Sequence, residues 1–225
     1  LMTIAGLWVG IDIWRRSRKQ GKGFSPYRKK WYHWHYVTGI VFGLFVLTFC
    51  FSGMMSLAEV PSWISKPVLD KNPTREIKKG APRLEQYVLD YRRILTEYPD
   101  VRQIEWSNFR SQPYYIVKRS EGDLYIDASD SLSRPLKLDE KQITDAVRAI
   151  HGDSARLHVT LINEFETYYR DMSRMYRDRS LLPVWKVTVG DADKSCYYIH
   201  PETATVRYVN DTARWKYWMY TALHR

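Results

Sequence analysis

The chain has 225 residues, and its 35 lysines and arginines against 25 acidic residues leave a formal net charge of +10. Such an excess is typical of nucleic-acid-binding proteins when it covers one surface. Here residues 58–213 carry 24 cations and 24 acids, whereas the segment between Trp14 and Trp31 carries eight cations and no acid. These eight are Arg15, Arg16, Arg18, Lys19, Lys22, Arg28, Lys29 and Lys30. The charge therefore predicts membrane topology and argues against a nucleic-acid partner.

The first residues, LMTIAGLWVGIDI, are apolar, but they are too few to span a membrane, which takes about 20 residues. We expect residues 1–13 to be the end of a truncated transmembrane helix and residues 14–31 to be a basic cytoplasmic loop. A signal peptide is the alternative, although its cations would precede its apolar segment. Because short cation-rich loops stay in the cytoplasm, the chain after the next helix would lie outside, which in a bacterium is the periplasm.

A transmembrane helix is predicted at residues 32–57. Its last 22 residues carry no charge and rise about 33 Å as a helix, enough to cross a hydrocarbon core of about 30 Å. Its first turns are rich in aromatic side chains, as expected at a membrane interface that holds lipid headgroups. Gly39 and Gly43 would let a neighbouring helix or a flat cofactor approach the backbone closely.

Residues 58–213 are predicted to form a soluble domain with its own core. Apolar spacing predicts amphipathic helices at residues 81–98 and 139–150. Strand-like segments follow each helix, at residues 101–106, 114–119 and 124–127 and then at 157–162, 184–189, 196–200 and 205–209. The order predicts an α+β domain of two related helix-plus-antiparallel-sheet halves, at about 81–134 and 138–210. Residues 214–225 would begin another transmembrane helix at the interface.

Three motifs resemble one known family. LLPVWKVTVGD and CYYIHPETATVRYV resemble the PepSY module, whose last hairpin has a motif like "yvDp.TGev". HYVTG, with His35 and Gly39, resembles the "HrwlG" start of a PepSY-associated transmembrane helix. The C-terminal ARWKYWMYTALHR resembles the aromatic lead into the next helix of that family, which ends in an "lH" pair. The hairpin departs from the pattern, because His200 stands where the family has Asp and Ala204 where it has Gly.

This resemblance implies a function and a location. Bacterial PepSY-associated membrane proteins include inner-membrane reductases for ferric siderophores, which hold haem between their helices through histidine ligands. The matching positions here are His35 and His224, which the resemblance implies to be axial ligands of haem iron. It also implies a ferric-siderophore substrate and a multi-pass protein of the bacterial inner membrane with a large periplasmic domain.

The predicted topology separates the two histidines. His35 is expected at the cytoplasmic leaflet and His224 near the opposite leaflet, so they would serve two separate b-type haems, each with a second ligand from outside this chain. Two haems would carry electrons across the bilayer. The sequence has no nucleotide fingerprint, so a membrane quinol or a redox partner would supply the electrons.

Other interpretations of these features stay open. His35 is also consistent with an interfacial residue bound to lipid or water, and His224 with the polar face of an interfacial helix. His33 lies about 200° around the helix from His35, so both cannot face one bundle interior. The alternative function is a non-enzymatic, membrane-tethered PepSY module that binds a peptide, protease or partner protein.

The remaining candidate groups are less specific. His151, His158 and His200 lack the spacing of a metal motif and are expected at surface or strand positions. The tyrosines and arginines of residues 168–179 would suit an anionic chelate, although a solvated loop has the same composition. Cys50 is predicted in the membrane and Cys196 outside it, which excludes a disulfide between them.

Overall fold

A computed structural model of the chain describes residues 2–21, 23–57, 69, 73–77, 84–169 and 181–224. The chain divides into two compact units. The first, the helical unit, comprises Leu1–Ser65 and Ala213–Arg225, and the second, the sheet unit, comprises Lys66–Thr212. Together they confirm the α+β class, with α-helices and two antiparallel sheets.

The helical unit begins with two antiparallel helices, α1 (Met2–Lys19) and α2 (Lys30–Leu57). α1 continues past Trp14, and an exposed ion pair one turn apart, between Asp12 and Arg16 with N and O 2.6 Å apart, supports this extension. The loop between the helices is held by Ser17, whose buried hydroxyl donates to the carbonyl of Gly23 over 3.0 Å.

Within the described residues, one helix is long and apolar enough to cross a membrane, over the 25 residues of Lys30–Met54. Only 6% of the most apolar 18 residues of this stretch are buried, whereas the core helix of a soluble protein is mostly buried. Its composition and position near the N-terminus fit a membrane span or a signal sequence. α1 does not meet the same criteria, so the described helices do not support a multi-pass topology.

The first half of the sheet unit is a helix followed by four strands. A short helix, α3 (Pro73–Ile77), and a 3-10 turn at Leu84–Gln86 precede α4 (Tyr91–Glu97). The strands are β1 (Val101–Phe109), β2 (Gln112–Arg119), β3 (Gly122–Asp127) and β4 (Arg134–Pro135), each antiparallel to the next. The helix predicted over residues 81–98 is wrong in its first part. Asp90 caps α4 by accepting from the backbone N–H of Arg92 over 2.9 Å, so the helix begins at Tyr91.

The second half repeats this order. α5 (Glu140–His151) begins with a reciprocal capping box between Asp139 and Gln142. β5 (Leu157–Ile162), β6 (Val184–Val189), β7 (Cys196–Ile199) and β8 (Val206–Val209) form the second sheet, again with each strand antiparallel to the next. The structure therefore has two antiparallel sheets, each preceded by a helix.

The first sheet packs against two cores because its side chains alternate. Tyr115 and Val117 of β2 belong to the core that contains Ile94 of α4, whereas Tyr114 and Ile116 belong to a second core. This second core is shared by both halves. Its buried members include Ile77, Phe109, Leu136, Leu138, Ile143, Val147, Val187, Val189, Tyr197 and Ile199. The two halves are thus joined by common apolar contacts.

The sheet unit is followed by α6 (Asp211–His224). Its first residue is tied to the loop between β6 and β7, because the backbone N–H of Asp211 donates to the carbonyl of Asp193 over 2.9 Å. α6 covers all of the predicted interfacial segment, residues 214–225, except its last residue.

Candidate functional site

His35 lies on the exposed surface of α2, next to a buried tyrosine that contacts α1. Tyr36 is only 8% exposed, and its hydroxyl donates to the backbone carbonyl of Gly10 in α1 over 2.7 Å. Successive helical residues are about 100° apart, so His35 points away from the contact between α1 and α2. Within the part of the chain that the structure describes, no hydrogen bond to its imidazole is present.

The two glycines of α2 have different surroundings. A Cβ atom on Gly43 would lie 3.1 Å from Cδ2 of Leu7, so this glycine allows α1 to approach. A Cβ atom on Gly39 would meet nothing within 4 Å. Gly39 follows His35 by four residues and therefore shares its face of the helix. The structure thus places an imidazole beside an open stretch of backbone.

The other predicted ligand is less completely described. His224 is the last helical residue of α6, and its side chain lies outside the described atoms. The prediction that His224 is a haem ligand therefore lies outside the described side chains. His33 is half-buried, and its ring makes an edge contact with Trp34 at 5.9 Å between centroids.

A haem site would need an axial nitrogen donor and an open surface on a helix. A neutral imidazole is a standard axial ligand of haem iron, and the porphyrin supplies the four equatorial ligands. His35 provides one such donor and Gly39 an unobstructed surface for a flat group. No cluster of three or more His, Cys, Asp or Glu side chains among the described residues is arranged to hold a metal ion.

A second histidine site lies in the sheet unit and was not expected from the sequence. The prediction that His151 is a surface or strand residue is wrong, because it ends α5 with a side chain only 5% exposed. Its Nε2 lies 2.7 Å from the hydroxyl of Tyr197, which is fully buried. Its Nδ1 lies 3.5 Å from Oδ2 of Asp191. His151 therefore joins α5 to the second sheet through polar contacts.

The electrostatics of this group favour a neutral imidazole. Burial lowers the pKa of His151, and the nearby carboxylate of Asp191 partly opposes that shift. Burial also raises the pKa of Tyr197, so its hydroxyl stays protonated and can donate to Nε2. The ring of Tyr208 packs on Tyr197, and its hydroxyl lies 2.9 Å from Oγ of Ser195. The contacts with Tyr197 and Asp191 are suited to keeping the imidazole of His151 in one tautomer.

Helical spacing could have located His151. It follows the buried Val147 by four residues, and both lie on the face of α5 that also contains Ile143. The contact with Tyr197 could not have been found in this way, because its sequence separation of 46 residues is bridged only by the fold.

The last hairpin of the second sheet contains the two departures from the PepSY motif. The prediction that His200 is a surface or strand residue is also wrong. It is 4% exposed and lies in the turn, where its Nδ1 accepts from the backbone N–H groups of Glu202 and Thr203 at 3.2 and 3.3 Å. Ala204 is fully buried and has a φ of 53°, in the region that favours glycine.

The remaining predicted groups are only partly described. Of residues 168–179, the structure describes Tyr168 and Tyr169, so the proposed chelate surface lies mostly outside the described residues. His158 is exposed on β5, as expected. Cys50 is exposed and Cys196 buried, and neither forms a disulfide.

No family model, curated protein or solved structure matches this chain. The likeness to the PepSY family therefore rests on the motifs of the sequence. The α+β architecture rests on the coordinates alone.

Proposed function

We propose that this chain belongs to a haem-containing bacterial inner-membrane reductase, which passes electrons across the membrane to a ferric siderophore or a related iron chelate in the periplasm. The observation that carries the proposal is the exposed imidazole of His35 on an apolar helix, beside the open backbone of Gly39. The iron-chelate substrate and the periplasmic side follow from the family resemblance and from the basic loop.

An imidazole at this position needs a partner. Polar side chains within membrane helices usually face a bundle interior or a ligand, because hydrocarbon offers no hydrogen bonds. His35 faces neither α1 nor any described hydrogen-bond donor or acceptor. A cofactor, a helix that is not described, or water and lipid headgroups at the interface would satisfy it.

The neighbouring residues would fix the direction of this ligand. The hydrogen bond from Tyr36 to Gly10 holds the rotation of α2 against α1, and with it the side on which His35 emerges. Gly39 keeps the backbone clear one turn further along. Haem, when bound, would supply a one-electron carrier within the membrane. By the motif, His224 would hold a second haem.

The test is the visible spectrum of the full-length protein purified from a haem-replete bacterial host. We expect a Soret band that is lost or shifted in His35→Ala and weakened in Gly39→Leu, which fills the open surface. His33→Ala is the matched control, because it lies in the same turns but faces elsewhere, and it should keep the wild-type spectrum. Colourless wild-type protein, or a spectrum unchanged in His35→Ala, would refute the proposal.

A second candidate function is the membrane-tethered module that binds a partner protein. An exposed apolar patch on the sheet unit favours it. Tyr91 of α4 contacts Trp106 of β1 at 5.8 Å between ring centroids, and the neighbouring Leu95 and Val88 are 46% and 57% exposed. Exposed aromatic and apolar groups in contact are typical of binding surfaces.

The two functions are separable by experiment. A photo-crosslinking residue at position 95 should capture a discrete partner in cells if the patch binds one, whereas the same residue at the exposed position 141 of α5 should not. Crosslinking from both positions alike would show a nonspecific surface. The haem spectrum would be unaffected by either substitution.

A further inference from the structure

A segment of the chain is held on one face of the second sheet by its carboxylate. Glu166 accepts from Nζ of Lys186 through both oxygens, at 2.8 and 2.7 Å. Its Oε2 also accepts from the hydroxyl of Tyr198 over 3.0 Å. Charge-assisted hydrogen bonds of this kind are stronger than those between neutral groups.

Aromatic rings hold the same segment. The ring of Tyr169 stacks on Tyr198 with centroids 4.9 Å apart and an angle of 19°, and Phe165 stacks on Tyr169 at 6.0 Å. Two backbone hydrogen bonds between Glu166 and Tyr169, of 2.9 and 3.1 Å, close the segment into a turn. The turn thus places the carboxylate of Glu166 and the rings of Phe165 and Tyr169 together on the second sheet.

The surface beneath this turn is a row across three strands. Lys186 of β6 is paired in register with Tyr198 of β7, which is paired with Arg207 of β8. They share the face opposite to α5, because Val187 and Val189 of β6 point toward the shared core. Arg207 also lies near Tyr169, where its charge opposes the rise that burial causes in the pKa of that hydroxyl.

The contact lies outside the shared core and is partly open to solvent. The side chains of Lys186 and Glu166 are 25% and 37% exposed. None of the turn residues Phe165, Glu166 and Tyr169 belongs to either buried core. The turn can therefore leave the sheet without removing a residue from those cores.

We propose that this face, formed by Lys186, Tyr198 and Arg207, binds an acidic–aromatic peptide segment of a partner protein, and that residues 163–169 occupy it in cis. The partner's carboxylate would take the position of Glu166, and its ring the position of Tyr169. The two cations of the row complement an acidic ligand. The proposal goes beyond the haem function and holds whether or not haem is bound.

Occupation in cis sets the size of the expected effect. A tethered segment competes at an effective concentration that is commonly millimolar, so it reduces the affinity for a peptide added in trans. The apparent dissociation constant is the intrinsic one divided by the fraction of molecules with a free face. If about one molecule in ten has a free face, releasing the segment raises the apparent affinity about tenfold.

The experiment uses the full-length protein and a fluorescein-labelled peptide, NEFETYY, which is the sequence of residues 163–169. Fluorescence polarisation would compare wild type with the release variant Glu166→Gln/Tyr169→Ala. We expect the release variant to bind the peptide about tenfold more tightly. Adding Lys186→Met to it should abolish this gain. Glu164→Gln is the matched control, since this neighbouring acid is exposed, and it should bind like wild type.

Two results would overturn the proposal. One is a release variant that has wild-type circular dichroism and thermal stability but binds no more tightly than wild type. The other is tight binding that persists after Lys186→Met. If the double substitution unfolds the protein, Glu166→Gln alone, which keeps the ring stack, should still raise the affinity about threefold. No gain in that folded variant would equally reject the proposal.

Discussion

The hydroxyl of Tyr197 offers a sharp test of the buried group around His151. Tyr197→Phe removes one oxygen and keeps the ring, so the packing on Tyr208 is preserved. It leaves Nε2 of His151 without the donor that lies 2.7 Å away, in a side chain that is only 5% exposed. An unsatisfied buried acceptor costs about 1–3 kcal/mol, so we expect a loss of that size in the free energy of unfolding.

The loss can be measured by urea denaturation of the purified chain in mild detergent, followed by the far-ultraviolet circular dichroism of the sheets. For a unit of this size, 1–3 kcal/mol corresponds to a fall of about 2–12 °C in the melting temperature. Tyr91→Phe is the control, because Tyr91 is exposed, and it should stay within about 0.5 kcal/mol of wild type. If Tyr197→Phe is as stable as this control, the buried hydrogen bond is not needed and the reasoning fails.

Three further predictions concern other parts of the molecule. Because burial lowers the pKa of His151, the unfolded chain binds a proton more readily, so stability should fall as the pH drops below about 6.5. His151→Gln should flatten this dependence in urea titrations at several pH values. Gly43→Ile should lower the melting temperature of the helical signal by crowding Leu7, whereas Gly39→Ile should not. Ala204 has a positive φ, so Ala204→Val should lower the free energy of unfolding by more than about 2 kcal/mol in denaturant titrations. Ala204→Gly should leave it nearly unchanged, because the relief of strain offsets the loss of the methyl group.

Local patterns predicted the elements with strong periodicity. The strands at residues 157–162 and 184–189 agree with β5 and β6, because alternating and β-branched side chains are local signals. The same approach failed at residues 81–98. Leu84, Val88 and Leu95 have helical spacing, yet their side chains are exposed, and the cap at Asp90 starts a much shorter helix. Apolar spacing without burial is weak evidence for a helix.

The candidate sites were harder to predict, because they depend on distant contacts. His35 was singled out by a motif, and the open backbone of Gly39 is visible only in three dimensions. The partners of Lys186 come from residues 20 and 12 positions away, so no local pattern pairs them. The distance between partners along the chain, rather than their residue types, therefore decided which contacts could be predicted from the sequence.

The turn of the last hairpin places backbone requirements on residues 200 and 204. An Asp at position 200 would accept backbone N–H groups within the turn, and Nδ1 of His200 does so from Glu202 and Thr203. A Gly at position 204 would suit a positive φ, and Ala204 adopts a φ of 53° while its methyl group is buried. His200 and Ala204 therefore each satisfy a backbone requirement of the turn, the first as an acceptor for two N–H groups and the second by its positive φ.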